Sequence, residues 1–291
     1  MILRAISLMI LAMALLAGSD VFFKLSTALA PAGQVMTLVS LGGTAAFVAL
    51  ARAMGTPVFG RDALHPLVML RNALEISAAI GLLYALKYVP LPVFAAIMQG
   101  GPLVVVLGAA IFLKEQVGWR RWTAVGVGIV GMLLVIRPFG TGFTGHEFWA
   151  ILGVVSLAAR DLVTRLSPPH IPSLAISTWG FAATIPVGLV IWGMEGLPPQ
   201  LDAPSLWAIA GAILFTTTGY LAITTAMRLA PASVVSPFRY ARLIFTTGLG
   251  VLVFGDRPDA MTLLGAAIIL CAGLYTFLRE RRLAREGATG A

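Results

Sequence analysis

Two pairs of charged residues stand inside otherwise apolar stretches, and their spacing says what chemistry they could do. Arg71 and Glu75 are four residues apart, so on a helix they share a face; Arg239 and Arg242, three apart, share another. A charge at the centre of an apolar span costs about 2.5–3.5 kcal/mol, so it marks a ligand or ion pathway unless a neighbour neutralises it. Arg239 or Arg242 could hold a substrate carboxylate, and Glu75 an ammonium group. The alternative is an internal ion pair, Arg71–Glu75 or Glu75–Arg242, that holds helices together. Glu75 lies roughly 13 Å beyond Pro66 and Arg242 roughly 15 Å beyond Ala232, so both reach towards mid-depth. Asp20 and Asp161 are each followed four residues later by a cation, Lys24 and Arg165, and read as structural pairs near opposite ends of a cavity.

Uncharged side chains add a second set. Tyr84, Trp179, Tyr220 and Tyr240 could line a pocket, since each couples an apolar ring to a polar atom that seeks a partner. Gln99 donates and accepts, and adjoins Gly100-Gly101-Pro102, where a kink is expected. Trp119, Trp122, Trp149 and Trp207 fall near the ends of apolar runs and read as interfacial anchors. The substrate-contact candidates are therefore Glu75, Tyr84, Gln99, Trp179, Tyr220, Arg239, Tyr240 and Arg242. No catalytic residue, metal ligand or cofactor is expected. His65, His146 and His170 are scattered over loops and run ends, and no nucleotide-binding loop, zinc-peptidase helix or serine elbow occurs. Any transport would then be secondary or facilitated.

The elements that must position these residues follow from composition. Of 291 residues 59% are hydrophobic and only 11% charged, with mean hydropathy +0.94. Soluble domains run near 45–50% apolar and about 25% charged. The surplus needs lipid to cover it. Apolar runs of about 20 residues, separated by Pro, Gly and charged breaks, predict helices at 3–24, 34–52, 66–87, 92–113, 120–137, 146–166, 173–193, 205–227, 232–254 and 260–279. Ten spans put both termini on one side. One set of span ends carries Arg4, Arg52, Arg61, Lys114, Arg120, Arg121, Arg165, Arg228, Arg279, Arg281, Arg282 and Arg285; the other has Lys24, Lys87, Arg137 and Arg257. The positive-inside rule then makes both termini cytoplasmic. The net charge of +8 is thus a topology signal, with membrane lipid and not nucleic acid as the partner. The lone Cys271 lies within an apolar run and cannot pair within the chain.

The chain also repeats itself at an offset of 141 residues. Asp20 aligns with Asp161, Lys24 with Arg165, Leu25-Ser26 with Leu166-Ser167, and Ala85-Leu86-Lys87 with Ala226-Met227-Arg228. Pro90 aligns with Pro231, Val93 with Val234, Glu115 with Asp256 and Gln99 with Tyr240. Five helices per copy is an odd number, so the second copy enters the membrane inverted, which is the arrangement used for alternating access around a site near the midplane. The fold expected is an all-α membrane protein of ten transmembrane helices in two inverted five-helix repeats, 1–140 and 141–279, followed by a basic cytoplasmic tail, 280–291. Ala124, Gly128 and Gly131 read as a helix-packing stripe.

The segment Tyr84-Ala85-Leu86-Lys87-Tyr88-Val89-Pro90-Leu91, then Phe112-Leu113-Lys114-Glu115 with Trp119, then the Gly126/Gly128/Gly131 helix, resembles the EamA-type half of the drug/metabolite transporter superfamily. Met227-Arg228-Leu229-Ala230-Pro231-Ala232-Ser233-Val234-Val235 and Phe254-Gly255-Asp256 resemble it again, and the two units cover nearly the whole chain, near 8–137 and 146–278. The resemblance implies a multi-pass protein of the bacterial inner membrane, read as a monomer, that exports amino acids, aromatic or hydrophobic ones included, and related small metabolites. Carriers of sulfonium or nucleotide-like metabolites and multidrug exporters belong to the same superfamily and are alternatives. A non-transporting membrane enzyme or structural protein is the alternative from another class. Many relatives carry an Arg in the second helix and Trp-Gly-Ser-Asn in the first; here Gln34 to Val39 lacks that Arg, and the first helix reads Ala17-Gly18-Ser19-Asp20. Roles of the missing residues do not transfer.

Overall fold

A computed structural model describes residues 2–58, 60–112, 119–136, 144–168, 170–229 and 236–289. Among these residues all regular structure is helical. In chain order the helices are α1 (Ile2–Leu29), α2 (Ala32–Ala53), α3 (Pro66–Tyr88), α4 (Leu91–Met98), α5 (Gly101–Phe112), α6 (Trp119–Ile136), α7 (Glu147–Leu166), α8 (Ser173–Glu195), α9 (Ala203–Leu229), α10 (Ala241–Phe254) and α11 (Ala260–Thr289). Short 3-10 turns occupy Arg61–Leu64 and Ser236–Tyr240. Lys114, Glu115, Arg137, Pro231 and Val234, used above in the charge count and the repeat, lie outside the described residues.

Proline and glycine set the boundaries. Pro31, Pro90 and Pro172 precede the first turns of α2, α4 and α8, and Pro66 opens α3, positions where a missing N–H costs nothing. Gly196 and Gly255 end α8 and α10 with φ of 61° and 67°, the left-handed conformation that glycine adopts without a Cβ penalty. The run 92–113, read as one span, is two helices. Pro102 has no N–H for the Met98 carbonyl, so the helix breaks at Gln99–Gly100 and restarts at Gly101. Within the run 232–254 the 3-10 turn Ser236–Tyr240 leads directly into α10. Among the described residues five stretches are long and apolar enough to cross a membrane: Leu3–Leu29, Ala32–Ala53, Pro66–Tyr88, Leu174–Glu195 and Ala203–Ile223. Shorter apolar stretches cover Leu91–Val105, Gly126–Ile136 and Ala260–Ala272.

Internal packing divides the chain into two compact units. One comprises Met1–Ala17, Pro90–Gly145 and Thr218–Ala291; the other Gly18–Val89 and His146–Thr217. Each draws on both halves of the sequence. In the first, α6 packs on α11 and α4 on α10. A Cβ on Gly131 would stand 2.9 Å from the Gly265 carbonyl oxygen, and one on Gly265 2.6 Å from that of Gly131, so two glycines let the α6 and α11 backbones touch. In the second unit α3 packs on α7 and α2 on α8, around a core of Val35, Met36, Val39, Leu83, Ile209 and Ala212.

The 141-residue offset recurs in the elements and in their contacts. α2 and α8 start 141 residues apart, as do α6 and α11, and α3 and α9 end 141 apart. Contacts come in pairs with the two copies exchanged. Ser40 Oγ lies 2.7 Å from Thr184 Oγ1, and at the exchanged positions Gly43 meets the Phe181 ring. Gly33 abuts the Trp192 backbone, and of the exchanged positions Leu174 packs against the small cluster that contains Ala51. Residue numbers fall along α8 as they rise along α2, so these equivalent helices run antiparallel.

Candidate functional site

In the second unit the antiparallel α3–α7 seam can be followed from one end to the other. Tyr84 packs on Trp149 with ring centroids 5.0 Å apart. Next, Gly81 is so close to Gly153 that its Cβ would lie 2.6 Å from the Gly153 nitrogen. Ser77 Oγ and Ser156 Oγ are 2.9 Å apart. The seam then reaches four charges. Arg71 Nη2 lies 2.7 Å from Glu75 Oε2, the pairing expected from their spacing. Arg160 Nη1 donates to Glu75 Oε1 at 3.0 Å and Oε2 at 3.1 Å. The other edge of the same guanidinium, Nε and Nη2, donates to Asp161 Oδ1 at 3.1 and 2.7 Å. Arg71 Nη1 also donates to the Ile176 carbonyl of α8 at 3.2 Å. Gly180 of α8 makes room for it, since a Cβ there would overlap Nη1.

Among the described residues two cations and two anions thus form one cluster of balanced formal charge, uncovered in a graded way. Side-chain exposure is 7% for Arg71, 18% for Glu75, 22% for Arg160 and 42% for Asp161. Arg160 is the residue that spacing arguments miss, because its partner is 85 positions away. A signal was present. Of 20 basic residues, sixteen sit at span ends; Arg71, Arg239 and Arg242 stand out within spans, and Arg160 is the remaining one.

The offset places Ser19 opposite Arg160, Thr216 opposite Glu75, Ala212 opposite Arg71 and Asp20 opposite Asp161. Ser19 Oγ and Thr216 Oγ1 are hydrogen-bonded at 2.6 Å. The same helix–helix contact is therefore made twice, once by an ion pair and once by two hydroxyls. Lys24 donates to the Val89 carbonyl at 2.7 Å, beyond the end of α3.

The remaining candidates fall as follows. Tyr84 also stacks near Tyr88, centroids 6.3 Å apart, and Tyr88 stacks on His146 at 4.5 Å. Trp179 donates its indole N–H to the Val58 carbonyl at 2.7 Å and packs with Ala51, Val58 and Ala175, fastening the turn after α2. Glu75, Tyr84 and Trp179 belong to this unit; Gln99, Tyr220, Arg239, Tyr240 and Arg242 belong to the other. There, buried Gln99 donates from Nε2 to the Tyr240 carbonyl at 3.2 Å. The two mirrored residues singled out from the repeat are bonded to each other. Tyr220 and Arg242 are half-buried and Arg239 is exposed. Trp119, Trp122 and Trp207, read as interfacial anchors, are 70%, 45% and 64% exposed.

The EamA-like transporter family matches twice, over residues 3–137 and 145–278. A riboflavin transporter of Rhizobium johnstonii is 29% identical over 218 residues, 73% of this chain and 71% of that protein. An S-adenosylmethionine uptake transporter of Rickettsia bellii is 25% identical, covering 74% and 73%. The pseudopaline exporter CntI of Pseudomonas aeruginosa is 24% identical, covering 86% and 87%. A crystal structure at 18% identity superposes with a TM-score of 0.66 over 96% of this chain and 98% of its own, which shows a shared fold.

Proposed function

The chain belongs to the EamA-like transporter family, and on that premise we propose that it carries a small polar metabolite across the bacterial inner membrane by alternating access. In this reading it has ten spans in two inverted copies, 1–140 and 141–279, with both termini and the 280–291 tail cytoplasmic. The observation that carries it is the exchanged contact. Equivalent helices α2 and α8 run antiparallel, and the Glu75–Arg160 contact recurs as Ser19–Thr216. Two such copies can present one site to either side by exchanging conformations. Glu75, Tyr84, Gln99, Trp179, Tyr220, Arg239, Tyr240 and Arg242 are the proposed pathway residues.

The relatives' names bear on the substrate. They include riboflavin, S-adenosylmethionine and pseudopaline carriers, named both for uptake and for export. These names favour a metabolite carrier at least as much as a dedicated amino-acid exporter, and S-adenosylmethionine is itself a sulfonium compound with an amino-acid head group. Transport is facilitated or secondary, with no chemical change to the cargo. The test is uptake by proteoliposomes of labelled riboflavin, S-adenosylmethionine, phenylalanine and leucine. Saturable uptake of at least one, recovered unmodified, is expected. No saturable uptake of any would overturn the reading.

A further inference from the structure

The charged cluster on α3 and α7 does more than packing requires. At the exchanged positions the same contact is made by Ser19 and Thr216 at 2.6 Å, with Ala212 in the place of Arg71. Two hydroxyls and a methyl therefore suffice to seat this helix pair in this fold. Beside an aspartate that both copies carry, Asp20 and Asp161, replacing them with three ionised groups adds a desolvation burden that a span sustains where charge is used. The cluster is also not sealed: Glu75, Arg160 and Asp161 keep 18%, 22% and 42% of their side chains uncovered. Ionised oxygens and nitrogens uncovered by protein demand a polar space, not hydrocarbon.

We propose that Glu75, Arg160 and Asp161 form the binding site for the zwitterionic head of the cargo, an ammonium and a carboxylate on neighbouring atoms. Arg160 uses its two edges separately, Nη1 towards Glu75 and Nε with Nη2 towards Asp161. A carboxylate takes the Nε/Nη2 edge in the fork geometry that guanidinium favours. The released Asp161, with Glu75, accepts the ammonium. Arg71 holds Glu75 in place and is held in turn by the Ile176 carbonyl. One ion pair opens and two form, and the assembly stays neutral. A cargo bearing only one of the two charges leaves an uncompensated ion in the span. This rests on the transporter reading and names the cargo's chemistry at a place the repeat alone does not mark.

The experiment uses the full chain in proteoliposomes and three matched probes: phenylalanine, phenylethylamine and phenylpropionate. Each competes against labelled S-adenosylmethionine. Phenylalanine is expected to compete at least about tenfold more strongly than either analogue, the loss that follows from removing one charge-assisted contact. In the variant Glu75→Thr/Arg160→Ser, which installs the pair found at the exchanged position, that preference disappears while the protein stays monodisperse. If that variant misfolds, Asp161→Asn serves instead, with the preference for phenylalanine over phenylpropionate reduced. Equal competition by all three probes overturns the proposal, and so does a preference unchanged in the variants. Riboflavin uptake that persists while zwitterions neither compete nor enter overturns this site alone. Loss of every flux in the native protein overturns the transporter reading with it.

Discussion

Gly180 lies on α8 where the Arg71 guanidinium comes closest, and replacing it with alanine isolates what that guanidinium contributes. A Cβ at this position overlaps Nη1 and lies 3.2 Å from Cζ, so the guanidinium must withdraw from the Ile176 carbonyl it now reaches at 3.2 Å. A hydrogen bond from a charged group contributes about 1.5–3 kcal/mol. Gly to Ala within a helix returns about 0.8–1 kcal/mol. Gly180→Ala should therefore destabilise the protein by about 0.5–2 kcal/mol. The assay is reversible denaturation in detergent, run in the native background and again with Arg71→Met. Without the guanidinium the sign should reverse, leaving only the propensity gain of up to about 1 kcal/mol. Equal destabilisation in both backgrounds would refute the argument, because the clash would then not involve Arg71.

Other seams make separate predictions. Gly131→Val should separate α6 from α11 and cost about 1–3 kcal/mol by overpacking, read as a lower melting temperature; Gly126→Val, with nothing within 4 Å of its Cβ, should not lower it. Glu195 accepts the Ala32 and Gly33 N–H groups at 3.2 and 2.9 Å, so its carboxylate caps the positive end of α2. Glu195→Gln should lower stability by about 1 kcal/mol, measured in the same unfolding assay. For sidedness, in a Cys271→Ala background Asp202→Cys should react with an impermeant maleimide on intact cells, and Thr289→Cys only after lysis.

Much of this arrangement is legible in the sequence where the cause is local. Helix starts follow prolines, the break at Gln99–Gly100 follows Pro102, and Arg71 meets Glu75 because four residues bring side chains to one helix face. The repeat extends that reach, pointing from Gln99 to Tyr240 before any contact is known. What spacing does not reveal is the partner on another helix. Arg160 completes the cluster from 85 residues away, and Trp179 spends its indole on a loop carbonyl, where hydropathy says nothing. Span length is similarly masked: α4, α5 and α10 are individually short because backbone breaks interrupt runs that are continuous in hydropathy.

The central claim, that two exchangeable halves carry one site across the membrane, is tested most directly by trans-acceleration. Proteoliposomes are loaded with unlabelled substrate, and entry of labelled substrate is compared with entry into empty vesicles. A carrier that must reorient returns faster when occupied, so preloading should accelerate entry, to a maximum that saturates with internal substrate. Entry that is saturable yet indifferent to preloading, or that rises linearly with concentration, would contradict the account.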